Sequence, residues 1–189
     1  ILDYYTINSS FEGNINRKVI VFVGDCKRGR TVHSLAKILS LHDHMTMYFL
    51  APEELQIDAE TENYIKQKGV IVHKETGSLS NIIPLADVIY MTRIQNEHGG
   101  NDGYDQKYVF TYDMLERMRE GAILMHPMPK REEIDPEVDD LKKDKRVMYW
   151  RQQRNGMWIR VAVLAYLFGV DDKICNHFEK VKMSVAPKP

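Results

Sequence analysis

The chain alternates between apolar runs typical of strands and amphipathic patterns typical of helices. Residues 18–24 (KVIVFVG) form a continuous, largely β-branched apolar run, which predicts a strand covered on both faces, as in a parallel sheet. A polar loop at 25–30 follows, and residues 31–40 then carry apolar side chains at helical spacing. Strand, loop and helix in this order are half of a βαβ unit, which constrains the fold more than any other feature of the chain.

The same alternation recurs along the sequence. Further strands are predicted at 45–50, 70–73, 87–91 and 121–125, with a short sixth strand at 147–150. Helices are predicted at the start of the chain and at 58–68, 78–86, 111–119 and 157–169. We therefore predict an α/β fold: a doubly wound, mostly parallel sheet with helices on both faces, which is a Rossmann-like three-layer sandwich.

Composition excludes several classes of partner. Lys plus Arg number 26 and Asp plus Glu 27, giving a formal net charge of −1, so no overall basic field attracts nucleic acid or anionic lipid. No apolar run reaches the roughly 18 residues that span a bilayer. Neither nucleic acid nor a membrane is expected as a partner. The two cysteines, Cys26 and Cys175, lie far apart and form no disulfide framework, which predicts a cytoplasmic location.

Three polar clusters follow predicted strands, at 24–31, 92–97 and 126–130. Ligands of open parallel sheets bind at the carboxyl ends of the strands, so these clusters are the candidate site. The first has the spacing of a nucleotide phosphate loop, but Arg30 replaces its lysine, and a planar guanidinium suits a carboxylate or phosphate held by two hydrogen bonds. A helix beginning at Thr31 also favours an anion. A degenerate nucleotide-binding domain and a basic loop without ligand remain alternatives.

The other two clusters offer different groups. In an extended backbone, Arg93, Gln95 and Glu97 point to one side, and Glu97 is placed to orient Arg93, although a surface ion pair is the alternative. In residues 126–130 (HPMPK) two prolines stiffen the backbone and remove N–H donors, so the turn offers carbonyl groups, which accept from an –NH2. A cis bond between Met128 and Pro129 would aim those carbonyls.

Cys26 lies beside two basic residues, and their charge could lower the pKa of its thiol. An unreactive cysteine is the favoured interpretation. The charge-rich stretch at 130–146 predicts a solvated connector.

Four collinear motifs together resemble a known family. They are GDxKxGRTVHSL at 24–35, YMTRIQ at 90–95, HPMP at 126–129 and RQxxNGM at 151–157 with Arg160. These motifs are similar to those of the aspartate carbamoyltransferase family, in its C-terminal half. The related ornithine enzymes are disfavoured, because their cysteine-containing H-C-L-P motif does not stand at 126–129.

The resemblance implies a transferase reaction in de novo pyrimidine biosynthesis. The amino group of L-aspartate would attack the carbonyl of carbamoyl phosphate, giving N-carbamoyl-L-aspartate and phosphate. Arg30 would hold the α-carboxylate of aspartate and Arg93 the β-carboxylate. Gln95 would assist Arg93, and Thr31 would lie at the edge of the same pocket.

The resemblance also assigns the turn. Backbone carbonyls at Pro127 and Met128, with the turn at Pro129, would hold the carbamoyl –NH2 and the attacking amine, while Lys27 and Glu97 would support the site from behind. No residue is assigned with certainty to a catalytic role, and neither a metal nor an organic cofactor is expected. A carbamoyltransferase-like binding module without activity is the alternative from another functional class.

The expected domain organisation follows from the same resemblance. The Ser-Thr-Arg-Thr and His-Pro-x-Gln motifs of the family's carbamoyl-phosphate domain do not occur in this sequence. We therefore expect an inter-domain helix and lead-in at 1–17, the aspartate-binding α/β domain at 18–170 and a C-terminal tail at 171–189 that is weakly ordered from Lys180, all part of a longer protein. The complete enzyme would be a homotrimer with shared active sites, and this segment alone would be inactive. The glycine-rich loop at 98–107 departs from the family pattern of the loop that closes over substrate.

Overall fold

A single parallel sheet forms the centre of the molecule. The structure, a computed structural model, describes residues 1–93, 105–140 and 144–185. The five strands are β1 (Val19–Val23), β2 (Thr46–Leu50), β3 (Ile71–Glu75), β4 (Val88–Met91) and β5 (Ile123–Met125). Their order is β3-β2-β1-β4-β5, and each adjacent pair is parallel. The chain winds outward from β1 to one edge and then returns to build the other, which confirms the predicted doubly wound fold.

The described residues form seven α-helices around this sheet. They are α1 (Leu2–Ser10), α2 (Arg30–Leu39), α3 (Ala59–Gln67), α4 (Leu79–Ile82), α5 (Tyr112–Arg117), α6 (Tyr149–Leu167) and α7 (Asp171–Val185). Short 3-10 segments occupy Glu53–Leu55, Ile83–Leu85, Gln106–Tyr108 and Pro136–Asp140. No helix within these described ranges has both the length and the apolar character needed to cross a lipid bilayer.

The position of strand β1 in the sheet explains why its sequence is continuously apolar. Ile20 and Phe22 belong to one hydrophobic cluster, together with residues of α1, α2 and α3. Val21 and Val23 belong to a second cluster, with residues of α4 and α5. Because successive side chains of a strand point to opposite faces, a sheet covered by helices on both sides requires apolar residues at every position.

Two expectations about the C-terminal third are wrong. The predicted sixth strand at 147–150 is reduced to one parallel bridge between Val147 and Leu124, and α6 already begins at Tyr149 rather than at Met157. A short apolar run fits a strand and the first turn of a buried helix equally well. Within the predicted C-terminal tail, residues 171–185 form α7, and the carboxylates of Asp171 and Asp172 favour its N-terminus.

The stretch at 130–146 is also more than a solvated connector. Ile134 and Val138 are buried in the second cluster. Lys130 Nζ lies 2.7 Å from a carboxylate oxygen of Asp139, and Tyr149 donates a hydrogen bond of 2.6 Å to the other oxygen. The stretch is therefore attached to the core by Ile134 and Val138, although most of its residues are charged.

The two-sided core makes a direct prediction for the sheet. Replacing Ile20, which is fully buried, by alanine should reduce the free energy of unfolding by about 2–5 kcal/mol, because the truncation leaves a cavity that the neighbouring side chains cannot fill. The matched control is Ile71→Ala on edge strand β3, where the side chain is 57% exposed and the loss should be small. Urea unfolding of both variants measures the difference, and equal losses would contradict the two-layer packing.

Candidate active site

The carboxyl ends of β1 and β4 approach each other closely at Gly24. This residue has φ +107°, and a Cβ atom there would lie 2.7 Å from Thr92 Oγ1 and closer still to the Thr92 carbonyl oxygen. Thr92 is held in place because its N–H and its hydroxyl both donate to the Val23 carbonyl, at 2.8 and 2.7 Å. Only glycine allows this approach, so it brings the loop after β1 beside the residues after β4.

The loop after β1 is ordered by its own backbone. Asp25, 2% exposed, accepts a hydrogen bond of 2.8 Å from the N–H of Arg28. Gly29 then precedes α2, and a Cβ atom there would lie 2.6 Å from the Asp25 carbonyl oxygen. Arg30 and Thr31 consequently open α2 at the rim of the sheet, where both are exposed.

Cys26, in the same loop, is buried rather than reactive. Burial, with a further contribution from the charge of Asp25, raises the pKa of its thiol far above the usual range. Its Sγ faces the Phe22 carbonyl at 3.9 Å. The possibility that neighbouring basic residues lower the pKa is therefore wrong.

The turn after β5 is fixed by side chains on both sides. The Met128–Pro129 bond is cis, as predicted. The N–H of Met128 donates to His126 Nδ1 at 2.8 Å, so in the neutral imidazole the proton is on Nε2. That nitrogen lies 2.8 Å from Glu133 Oε1, and both side chains are 1% exposed. The His126 N–H in turn donates to Gln152 Oε1 at 3.0 Å.

Glu133 is ionised in this buried pair. Burial raises the pKa of its carboxyl group, but the adjacent His126 side chain and the hydrogen bond from the N–H of Arg131 outweigh burial and hold the pKa below its ordinary value. The carboxylate thus fixes the histidine ring, and the ring fixes the backbone of the turn.

The three polar clusters meet in one cavity of about 280 Å³. It is lined by Asp25, Arg28, Gly29, Arg30, Thr31, Thr92, Arg93, His126, Pro127, Met128 and Pro129. Its size is just below the roughly 300–1,000 Å³ of drug-sized ligand pockets. Three arginines and one buried aspartate are among the lining residues, so positive charge predominates and the cavity favours a small anionic molecule.

The structure thereby brings together six of the residues that the sequence singles out. Arg30, Thr31 and Arg93 come from two neighbouring strand ends, and the 127–129 turn comes from a third. Lys27 is exposed and does not line the cavity. Gln95, Glu97 and most of the 98–107 loop lie outside the described residues.

Sequence reasoning missed the groups that support the cavity from behind. Asp3, Tyr90 and Gln152 are joined by part-buried hydrogen bonds, and the carboxylate of Glu133 contacts His126. Tyr90 and Gln152 occur within the quoted motifs, but nothing in their spacing indicates a mutual contact. Asp3 and Glu133 carry no local signal, since each reads as a solvent-facing acid.

Comparison with known proteins agrees with this geometry. Residues 16–167 match the family model for aspartate/ornithine carbamoyltransferase, Asp/Orn binding domain. The chain belongs to this family. It is 41% identical over 175 residues to the aspartate carbamoyltransferase catalytic subunit of Methanocella arvoryzae, an alignment covering 90% of the chain and 55% of that relative. The corresponding subunit of Methanobrevibacter smithii is 39% identical over 181 residues, with 95% and 55% covered.

Solved structures of carbamoyltransferases share the fold. The catalytic subunit of M. jannaschii aspartate transcarbamoylase superimposes with a TM-score of 0.78 at 36% identity, covering 90% of this chain and 55% of that one. Aspartate transcarbamoylase of Trypanosoma cruzi in complex with N-(phosphonacetyl)-L-aspartic acid gives 0.73 at 33% identity, covering 86% and 53%. The chain therefore spans about half the length of the relatives it matches.

The contact between strand ends makes a second prediction. Gly24→Ala should lower the free energy of unfolding by about 1–3 kcal/mol, because the new Cβ meets backbone and the positive φ is strained for alanine. Gly77→Ala is the matched control, since a Cβ there meets nothing within 4 Å. Denaturant titration distinguishes the two, and an unaffected Gly24→Ala variant would refute the tight approach.

The buried acid predicts a pH dependence. Because the pKa of Glu133 is lowered in the folded protein, its contribution to stability is present above the unfolded value of about 4.3 and is lost as pH falls through the folded pKa. Glu133→Gln should therefore cost about 1–3 kcal/mol at neutral pH and progressively less in acid. Unfolding measured across this range, with exposed Glu132→Gln as control, tests the effect; a pH-independent difference would contradict it.

Proposed function

We propose that this chain supplies the aspartate-binding half of an aspartate carbamoyltransferase. The complete enzyme transfers the carbamoyl group of carbamoyl phosphate to the amino group of L-aspartate, giving N-carbamoyl-L-aspartate and phosphate, in de novo pyrimidine biosynthesis. The observation that carries the proposal is the single cavity that Arg30 and Arg93, from separate strand ends, line together with the turn at 126–129. The family membership and the relatives' names support it.

Two guanidinium groups suit a dicarboxylate. Each can form paired hydrogen bonds with one carboxylate, and their origin on different strands fixes the separation between them. We assign the α-carboxylate of L-aspartate to Arg30 and the β-carboxylate to Arg93. Thr31 stands at the rim, and the ten-residue helix α2 adds the positive end of its dipole there. Gln95 and Glu97 are proposed to assist Arg93.

The turn suits an amide donor. Proline has no N–H, and the N–H of Met128 is already bonded to His126. The turn therefore presents carbonyl oxygens, and those of Pro127 and Met128 are proposed to accept from the carbamoyl –NH2 and the attacking amine. Pro129 completes the turn and is proposed to belong to the same carbamoyl-binding surface.

The reaction needs placement more than chemical assistance. A bond forms between the aspartate nitrogen and the carbamoyl carbon, the bond from that carbon to the phosphate oxygen breaks, and the proton lost by the amine passes to the departing phosphate. Phosphate is already a good leaving group, so orientation and charge stabilisation can supply most of the rate. No metal or organic cofactor enters this proposal. Within the described ranges, no three His, Cys, Asp or Glu side chains are grouped to hold a metal ion.

The pocket for the phosphate is proposed to belong to the remainder of the protein. The chain covers 55% of the length of M. arvoryzae and M. smithii relatives, and the family resemblance assigns carbamoyl phosphate to a separate domain. We further propose that the complete enzyme is a homotrimer whose neighbouring subunits share active sites.

The arginines provide the test of the proposed function. In the full-length protein, Arg30→Ala and Arg93→Ala should each lower kcat/KM for carbamoyl transfer by an amount equivalent to about 2–4 kcal/mol, because each leaves a substrate carboxylate unpaired. Arg154→Ala, on the exposed side of α6, should have nearly the wild-type rate. Formation of carbamoyl aspartate, followed with labelled carbamoyl phosphate, measures all three.

Three outcomes would contradict the proposal. Near-normal rates for both arginine variants would place the substrate elsewhere. A folded full-length protein without carbamoyl transfer would favour a binding module of the same fold. Calorimetric binding of ATP with magnesium would favour a degenerate nucleotide-binding domain. The chain on its own should show no turnover at saturating substrates.

A further inference from the structure

The carboxylate of Asp3, outside the cavity, links strand β4 to helix α6, which in turn contacts the turn after β5. Asp3, on α1, accepts a hydrogen bond from the Tyr90 hydroxyl on Oδ2 at 2.9 Å and one from Gln152 Nε2 on Oδ1 at 2.6 Å. Tyr90 is fully buried, and Gln152 is 1% exposed. The contacts connect helix α1 to strand β4 on one side and to helix α6 on the other.

The hydrogen bond between Asp3 and Gln152 connects α1 to the turn after β5. Its Oε1 accepts the N–H of His126 at 3.0 Å, and His126 Nδ1 accepts the N–H of Met128 at 2.8 Å. A single amide side chain therefore bridges Asp3 and the backbone of the turn. Both of its polar ends are used, one as a donor and one as an acceptor.

The hydrogen bond between Asp3 and Tyr90 connects α1 to the segments that carry the two arginines. Tyr90 is in β4, three positions before Arg93. Thr31, which follows Arg30, lies near enough to the Tyr90 hydroxyl to influence its pKa. Burial and the negative charge of Asp3 both raise the pKa of Tyr90, so the phenol remains a donor to the carboxylate.

We propose that Asp3 and Gln152 are positioning residues that fix the arginine-bearing strand ends relative to the carbonyl turn. The inference rests on the proposed function. Neither residue lines the cavity, but the two reactants are held by the two parts that these residues connect. The aspartate amine reaches the carbamoyl carbon only when both parts keep their separation, and a displacement of about 1 Å costs on the order of a hundredfold in rate.

The sharpest test changes charge without changing shape. In the full-length enzyme, Gln152→Glu keeps an acceptor for the His126 N–H but places a second carboxylate against Asp3, where the amide donor now lies at 2.6 Å. We expect kcat to fall about tenfold to a hundredfold. KM for L-aspartate should change less, because Arg30 and Arg93 are unaltered. Gln153→Glu, the exposed neighbour on the same helix with the same change of charge, should retain the wild-type kcat.

A reciprocal exchange should restore the rate. In the double variant Asp3→Asn with Gln152→Glu, the new asparagine amide can donate to the new glutamate, and its carbonyl can accept from Tyr90. The glutamate keeps its second oxygen for the His126 N–H, so all the hydrogen bonds described above are satisfied. We expect the double variant to recover most of the kcat lost in Gln152→Glu, which a separate effect of each substitution would not produce.

The outcomes separate the two levels of inference. A wild-type enzyme without carbamoyl transfer overturns the proposed function, and this inference falls with it. An active wild type with unchanged kcat in folded Gln152→Glu overturns the positioning role alone. A lower thermal midpoint with wild-type kcat in the folded fraction also overturns it, because the pair would then be only structural. Should Gln152→Glu not fold, Asp3→Asn and the double variant carry the same comparison, with kcat reduced in the first and higher in the second.

Discussion

The site depends first on how closely β1 and β4 approach at their carboxyl ends. These strands are adjacent in the sheet although two other strands separate them in sequence, and this is the point where the winding reverses. A parallel sheet opens a crevice at such a point, because the following loops leave in opposite directions. Gly24 lets the crevice remain narrow. The two arginine-bearing segments then face one cavity rather than separate surfaces.

Charge and hydrogen-bond chemistry divide the cavity into two parts. Arg28, Arg30 and Arg93 line it from the first two strand ends, and the turn at 126–129 lines it from the third. The first part recognises negative charge, whereas the second recognises N–H donors. A small molecule with carboxylates at one end and an amine beside its reaction partner matches both parts at once. The proposed preference for an aspartate-like substrate rests on this placement of two kinds of group.

The sequence predicts the sheet well because each strand is a short apolar run between polar turns. Strand β1, predicted at 18–24, lies at Val19–Val23, and the three polar clusters line one cavity because the ends of parallel strands share an edge. The start of α6 was not predicted, since the tertiary contacts of Tyr149 decide its conformation. The contact between Asp3 and Gln152 spans 149 positions, and no local pattern indicates so distant a partner.

The large sequence separation between Asp3 and Gln152 affects the order in which the domain folds while it is being synthesised. Asp3 precedes every strand of the sheet in the chain and so is synthesised before them, whereas Gln152 follows the last strand. Domains fold as synthesis proceeds, but contacts between distant positions require closure of the intervening chain. A nascent chain that ends before α6 can build the central strands, yet the support behind the turn at 126–129 is missing until α6 docks against α1. Assembly of the binding crevice is therefore one of the last events in the maturation of this domain.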